Sequence, residues 1–133
     1  AHDALGRLRP ELGLHRLDRR PRPLPGASGL ERVALPPELP PEVRSSLLGL
    51  YGSLAPEVLA PAREDPSLLE PLLAGAPELA AQALYAATHE WAQTADDVLR
   101  RRTTLALRGL ATEQARERVG ELLGVAAAER LSA

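Results

Sequence analysis

Proline and glycine divide this chain into short segments, and this division constrains the fold more than any other feature of the sequence. From residue 40 onward, prolines open and glycines close stretches whose apolar residues recur at helical spacing. Proline suits the first turn of a helix but not its interior, and glycine is the usual residue just past a helix end. The sequence therefore predicts short helices joined by short connections.

The apolar residues available for a core favour helices over sheets. The 133-residue chain has no Phe, Met, Ile or Cys, so the core must be built mainly from Leu, Ala and Val. Leu and Ala are strong helix formers, whereas strands favour β-branched and aromatic residues. We expect one all-α domain, a compact bundle of about five to seven short helices preceded by an irregular Pro/Gly-rich segment.

The segments fall into three parts. Residues 1–9 read as a short helix or the tail of one, residues 10–40 as an extended Pro/Gly-rich connector lying on the bundle, and residues 41–133 as the helical domain. Tyr51, Tyr85 and Trp91 are expected to be buried anchors. The predicted helices cover 41–51, a short stretch capped by Ser53, 66–74 capped by Asp65, 77–91, 95–108, and a last helix capped by Thr112 that reaches 123, with Gly124 as a break.

Charge and motifs exclude several functions. The formal net charge of −2 would not draw the chain to nucleic acid or to an anionic membrane. No Gly-x-Gly-x-x-Gly loop is present, and the absence of lysine excludes a phosphate-binding Gly-Lys loop. The stretch "HEWAQ" begins like a zinc motif, but Gln93 stands where the second histidine would be. We therefore expect no metal site.

The stretch "EWAQTADDVLRRRTTLAL" (90–107) is the most unusual in the chain, because acidic residues precede three consecutive arginines. Thr94 and Asp97 resemble a helix capping box, and Asp97 and Arg101 share a helical face. Arg102 lies beside the apolar stripe, so it needs a carboxylate, for which Glu90 is the plausible partner. The pattern favours an ion-pair network between helices over an anion site formed by the arginines.

The same stretch resembles a known family. Its residues give the pattern E-x-A-x-T-x-x-D-V-L-x-R-R-T-x-L, which is similar to the signature of the C-terminal helical domain of FAD-dependent (aerobic) glycerol-3-phosphate dehydrogenases. The segments "PLPGA" (23–27), "YGSLAPEVL" (51–59) and "AHDAL" (1–5) also resemble that family, in the right order. The residues that carry the signature are Glu90, Ala92, Thr94, Asp97, Val98, Leu99, Arg101, Arg102, Thr103 and Leu105.

The resemblance implies a parent enzyme that oxidises sn-glycerol 3-phosphate to dihydroxyacetone phosphate, passing electrons to FAD and then to quinone, or to oxygen in oxidase relatives. It implies that residues 1–9 are the remnant of a flavin-domain helix, and that no catalytic, FAD-binding or metal-binding residue lies in this chain. The chain alone is expected to be inactive. The carried-over residues form a structural network: Glu90, Thr94, Asp97, Arg101, Arg102 and Thr103.

Three functions follow as alternatives. The first is an accessory domain that packs on the flavin and substrate domain of its own parent chain, or shapes a homodimer, in a cytoplasmic enzyme that contacts the membrane only peripherally. The second is an independent helical interaction module that binds an acidic or phosphorylated partner through Arg100, Arg101 and Arg102. The third is a hydrolase that uses His89 and Glu90.

Overall fold

The fold is all-α, as the sequence predicts. The computed structural model describes residues 7–12 and 22–132. Residues 1–5, which contribute to the family resemblance, lie outside the described part; Arg7 and Leu8 are helical. The main helices are α1 (Pro41–Tyr51), α2 (Ala55–Val58), α3 (Ala80–His89), α4 (Ala95–Asp97), which continues as a π-helical turn (Val98–Arg102), and α5 (Glu113–Ser132).

Short 3₁₀ turns precede and link these helices. They cover Pro10–Leu12, Leu30–Arg32, Gly52–Leu54, Ala60–Arg63 and Pro66–Leu69. Within the described ranges the extended backbone forms no strand, only one antiparallel bridge between Pro71 and Leu79. No helix in the described part of the chain is both long enough and apolar enough to cross a membrane.

Helix α1 confirms the prediction for its segment. Pro41 occupies the first turn, and Val43, Leu47 and Tyr51 are buried on one face. Gly52 ends the helix with a φ of 57°, and its N–H donates to the carbonyl of Leu48. Ser53 does not cap the next segment as predicted, because the chain continues directly as a 3₁₀ turn with no side-chain cap.

The predicted helix over residues 66–74 is wrong. Asp65 does cap this segment, accepting from the Ser67 N–H at 3.0 Å, but only the 3₁₀ turn Pro66–Leu69 forms. Pro71 explains the difference, since a proline forces the preceding residue out of the helical region. Glu70 is accordingly extended, with φ −70° and ψ 143°.

Helix α3 is shorter at both ends than the predicted 77–91. The backbone before it is held by the segment around Pro71: Leu72 N–H donates to Glu78 O at 2.8 Å, and Ala80 N–H donates to Glu70 O at 2.9 Å. This pairing holds Leu79 extended, with φ −98° and ψ 157°, so the helix begins only at Ala80. The helix ends at His89, and Trp91 is not a buried anchor but an 87% exposed residue. Tyr51 and Tyr85 are buried, as predicted.

The last predicted helices are wrong at one boundary each. The α4 segment stops at Arg102 instead of Arg108, because Thr103 is extended with φ −131° and ψ 173°. Thr112 caps α5 as predicted, since its hydroxyl accepts the Ala115 N–H. Gly124 does not interrupt that helix, which runs on to Ser132.

The connector region contacts the bundle where α1 ends. Ser53 N–H donates to Gly26 O at 2.9 Å, and Leu39 is buried in the core. A side chain at Gly52 would collide with the Gly26 carbonyl oxygen, so two glycines permit this approach. The division of the chain at residues 9 and 40 stays a prediction. The largest fully buried apolar side chains are Leu47, Leu79, Leu99, Leu105, Val58, Val98 and Val119.

Candidate functional site

The capping box at the start of α4 forms as the sequence predicts. Thr94 Oγ1 accepts the Asp97 N–H at 3.2 Å, and Asp97 Oδ2 accepts the N–H groups of Thr94 and Gln93 at 3.1 and 3.2 Å. The Thr94 hydroxyl also donates to this carboxylate at 2.9 Å. That hydroxyl, followed by the two backbone donors, lowers the pKa of Asp97 below its usual range. Asp97 is therefore a charged cap at ordinary pH.

The π-helical turn after Asp97 determines the face on which each arginine side chain emerges. Val98 and Leu99 are fully buried, which fixes the turn against the core. Thr103 closes it, because its hydroxyl donates to the carbonyls of Val98 and Leu99 at 3.1 and 3.3 Å. A π turn carries one extra residue compared with an α turn, so it changes the face on which the following side chains emerge.

Arg102 joins the π turn to the end of α3. Its Nη2 donates to the Glu90 backbone carbonyl at 2.9 Å, and its Nε lies 3.5 Å from Glu90 Oε2. The side chains are 38% and 29% exposed, so the pair is only partly buried. The free-energy cost of truncating it is therefore below the roughly 3–5 kcal/mol of a fully buried ion pair.

Arg100 and Arg101 bind two further carboxylates. Arg101 Nη1 lies 3.1 Å from Asp97 Oδ1, and Arg100 Nε lies 3.2 Å from Asp96 Oδ2. Asp96 also contacts Arg116 of α5 at 3.3 Å, which ties α4 to α5. Each arginine of the triplet thus faces a different carboxylate, an arrangement that disfavours a shared anion site even though Arg100 and Arg101 are exposed.

The partly exposed Glu90 side chain adjoins two buried polar side chains, Tyr51 and Gln82. Gln82 Oε1 accepts the Leu79 N–H at 2.8 Å, and the Gln82 side chain also interacts with the Tyr51 hydroxyl. Gln82 Nε2, the Tyr51 hydroxyl and Glu90 Oε2 are buried without a hydrogen bond of good geometry among the described residues. Burial raises the pKa of Tyr51 to about 12. Tyr51 also packs edge-on against Tyr85, with ring centroids 5.8 Å apart.

His89 and Glu90 do not form a hydrolytic site. His89 stacks on Tyr85 with centroids 4.5 Å apart, and its Nδ1 lies 2.8 Å from Thr88 Oγ1. His89 and Ser67 line one surface cleft, but the Ser67 hydroxyl donates to Asp65 and not to His89. A nucleophile needs a base within hydrogen-bond reach. The Thr88 hydroxyl is within reach of His89, but it already donates its proton to the Leu84 carbonyl at 2.9 Å. The described residues contain no group of side chains that could hold a metal ion.

An ion pair between Glu78 and Arg108, which the sequence did not predict, lies partly in the core. Glu78 is fully buried, and both its carboxylate oxygens accept from Arg108 Nη1, at 3.1 and 3.0 Å. Thr104 donates to the same carboxylate. Glu78 falls in the first turn of the helix predicted over residues 77–91. One feature of the sequence could have indicated a buried carboxylate: Glu78 is the sole charged residue between positions 71 and 88.

A comparison with protein-family models gives the relationship. The model described as the C-terminal domain of alpha-glycerophosphate oxidase matches residues 20–128, most of the chain. The chain belongs to this family. The match includes the connector from residue 20, all of α1 to α4 and most of α5, so the family resemblance seen in the sequence is confirmed.

Curated relatives of the chain agree with this family assignment. The chain is 40% identical over 88 residues to proteins called glycerol-3-phosphate dehydrogenase 2 from Mycobacterium bovis and Mycobacterium tuberculosis. The alignment covers 62% of this chain but only 15% of each relative. No solved structure matches the chain.

Proposed function

We propose that this chain is the non-catalytic C-terminal domain of an FAD-dependent glycerol-3-phosphate dehydrogenase. The observation that carries the proposal is the family match over residues 20–128, together with the named dehydrogenase relatives. In the proposed parent, sn-glycerol 3-phosphate is oxidised to dihydroxyacetone phosphate, and the electrons pass to FAD and then to a quinone. The parent would work in the cytoplasm, in peripheral contact with the membrane.

The described residues do not fit a flavin site. Dinucleotides bind where a strand, a glycine-rich loop and a helix meet, and the described part of this chain has no such strand. The FAD of the parent would therefore be held by another part of the polypeptide. The domain would contribute by packing on that part or by shaping a dimer.

The charged network supports this accessory role. Carboxylates and arginines of the signature stretch satisfy one another across the ends of α3, α4 and α5. Side chains paired in this way hold helices in register and are not free to bind a substrate phosphate. This pairing also argues against the interaction module in which the same arginines capture an acidic partner.

The test is dye-linked oxidation of glycerol 3-phosphate by this chain and by the full-length product of its gene, assayed side by side. We expect activity and flavin absorbance in the full-length protein and neither in the 133-residue chain. A full-length protein that binds no flavin and does not oxidise glycerol 3-phosphate would contradict the proposal.

A further inference from the structure

Trp91 occupies an unfavourable position in two respects. It is the only tryptophan of the chain and is 87% exposed to solvent. Its φ of 62° makes it the only described residue other than glycine with a positive φ. Left-handed backbone is costly for bulky residues and free for glycine, and exposing an indole ring to water is also unfavourable. Strained residues of this kind cluster at binding and functional sites.

The loop that carries Trp91 is fixed on both sides. The N–H groups of Glu90 and Ala92 both donate to the Ala86 carbonyl, at 3.2 and 2.9 Å, and Ala92 is buried. Arg102 holds the Glu90 carbonyl from the opposite side. After the loop, the Asp97 carboxylate holds the next two N–H groups. The signature network therefore fixes a rigid loop whose one large apolar side chain points away from the core.

Two ring contacts connect the segment before Trp91 to the place where the connector meets the bundle. The connector binds the bundle through the hydrogen bond between Gly26 and Ser53, directly after Tyr51. Tyr51 packs on Tyr85, and Tyr85 stacks on His89, two residues before Trp91. Two further exposed leucines, Leu24 and Leu30, lie on the connector itself.

We propose that Trp91 is the anchor through which this domain docks on the part of the longer polypeptide that precedes it; this inference rests on the proposed function. The family is a C-terminal domain, and the chain spans only 15% of its relatives, so a much larger body precedes the domain in those proteins. That body is joined to the domain through the connector, which meets the bundle directly after Tyr51. A rigid aromatic side chain loses little conformational entropy on binding, which makes it an effective anchor. The complementary surface would be an apolar pocket with a carbonyl or carboxylate that accepts the indole N–H.

Hydroxyl-radical footprinting with mass spectrometry tests the docking directly. Trypsin releases Trp91 in the peptide that follows Arg63 and ends at Arg100, and neither Met nor Cys is present in the chain to compete for oxidation. In the full-length protein we expect Trp91 to oxidise roughly tenfold more slowly than in the 133-residue chain, as for an anchor that loses most of its exposed surface. Equal oxidation rates would overturn the proposal. So would protection in the 133-residue chain that grows with its concentration, because a second copy would then be the occupant.

A set of variants separates docking from folding. Trp91→Gly removes the ring and adopts the positive φ without strain, so the isolated chain should melt at the same temperature or higher. In the full-length protein the docked domain should melt above the isolated chain; Trp91→Gly should abolish that difference, and Trp91→Phe should retain most of it. Leu107→Ala is the matched control, since Leu107 is equally exposed and should leave the difference intact. A difference that survives Trp91→Gly, or that Leu107→Ala abolishes equally, would contradict a specific anchor.

The two proposals fail in different ways. A full-length protein that oxidises glycerol 3-phosphate but leaves Trp91 freely oxidised would retain the proposed function and lose the anchor. A protein with a protected Trp91 and no such activity would retain the anchor and lose the assigned reaction.

Discussion

At the scale of single residues, charge serves different purposes at the surface and in the core. Asp97 and the three arginines form partly exposed pairs, each of which is expected to contribute little stability on its own. Glu78 differs because its carboxylate is fully buried and receives both Arg108 and Thr104. A buried carboxylate must keep its partners, since an uncompensated charge in the core is costly.

Glu78→Gln should therefore lower the free energy of unfolding by about 2–3 kcal/mol. This is below the roughly 3–5 kcal/mol of a fully buried pair, because the stranded Arg108 is 38% exposed and can turn to water. Chemical denaturation measures the change. Glu113→Gln, which breaks an exposed pair with Arg116, is the control and should cost less than about 1 kcal/mol. Equal effects of the two substitutions would show that Glu78 is not buried as described.

At the scale of elements, a glycine is required at some helix positions and not at others. Gly52 has a φ of 57° and lies against the Gly26 carbonyl, so it both ends α1 and admits the connector. Gly124 lies inside α5, is exposed, and has no atom within 4 Å of where a Cβ would stand. The same residue type is thus required at one position and dispensable at the other.

We expect the free energy of unfolding to change in opposite directions when these two glycines are replaced by alanine. Gly124→Ala should raise the free energy of unfolding by about 0.5–1 kcal/mol, since glycine is a poor helix former. Gly52→Ala should lower it by about 2–4 kcal/mol through backbone strain and the collision with Gly26. Thermal and urea unfolding of both variants measure this contrast. A destabilising Gly124→Ala would mean that α5 breaks at that residue, as the sequence had suggested.

At the scale of the whole molecule, two buried tyrosines set how stability responds to alkaline pH. Burial raises the pKa of Tyr51 to about 12 and also raises that of Tyr85. The chain has no Lys or Cys, so few other side chains titrate in this range. Between pH 10 and the folded pKa, the folded state holds protons that the unfolded state has lost. The stability that the neutral tyrosines contribute is therefore complete below pH 10 and is lost as pH rises towards 12.

We expect unfolding to become easier above pH 10, with Tyr51 contributing a slope of about 1.4 kcal/mol per pH unit. Urea unfolding at a series of pH values, with phenolate absorbance recorded in parallel, measures this slope. Tyr51→Phe should flatten it. Phenolate from Tyr51 at pH 10 in a chain that remains folded would contradict the buried position of its hydroxyl.

The sequence by itself determined the fold class, the start and end of α1, and the caps made by Asp65, Thr94 and Thr112. These depend on nearest neighbours: proline geometry, glycine freedom and a hydroxyl or carboxylate within three residues of an N–H group. It also located the signature stretch, because that pattern is continuous along the chain.

Only the tertiary structure decided what depends on distant residues. The bridge between Pro71 and Leu79 shortened α3, and the Thr103 contacts ended the π turn before Arg108. Glu78 became buried because Arg108, thirty residues away, folds over it. Trp91 was expected in the core because its spacing on a helix fits, yet the helix ends at His89 and its loop turns outward. Local physics sets where a helix begins, whereas packing against the rest of the chain determines how far it runs and which side chains it leaves exposed.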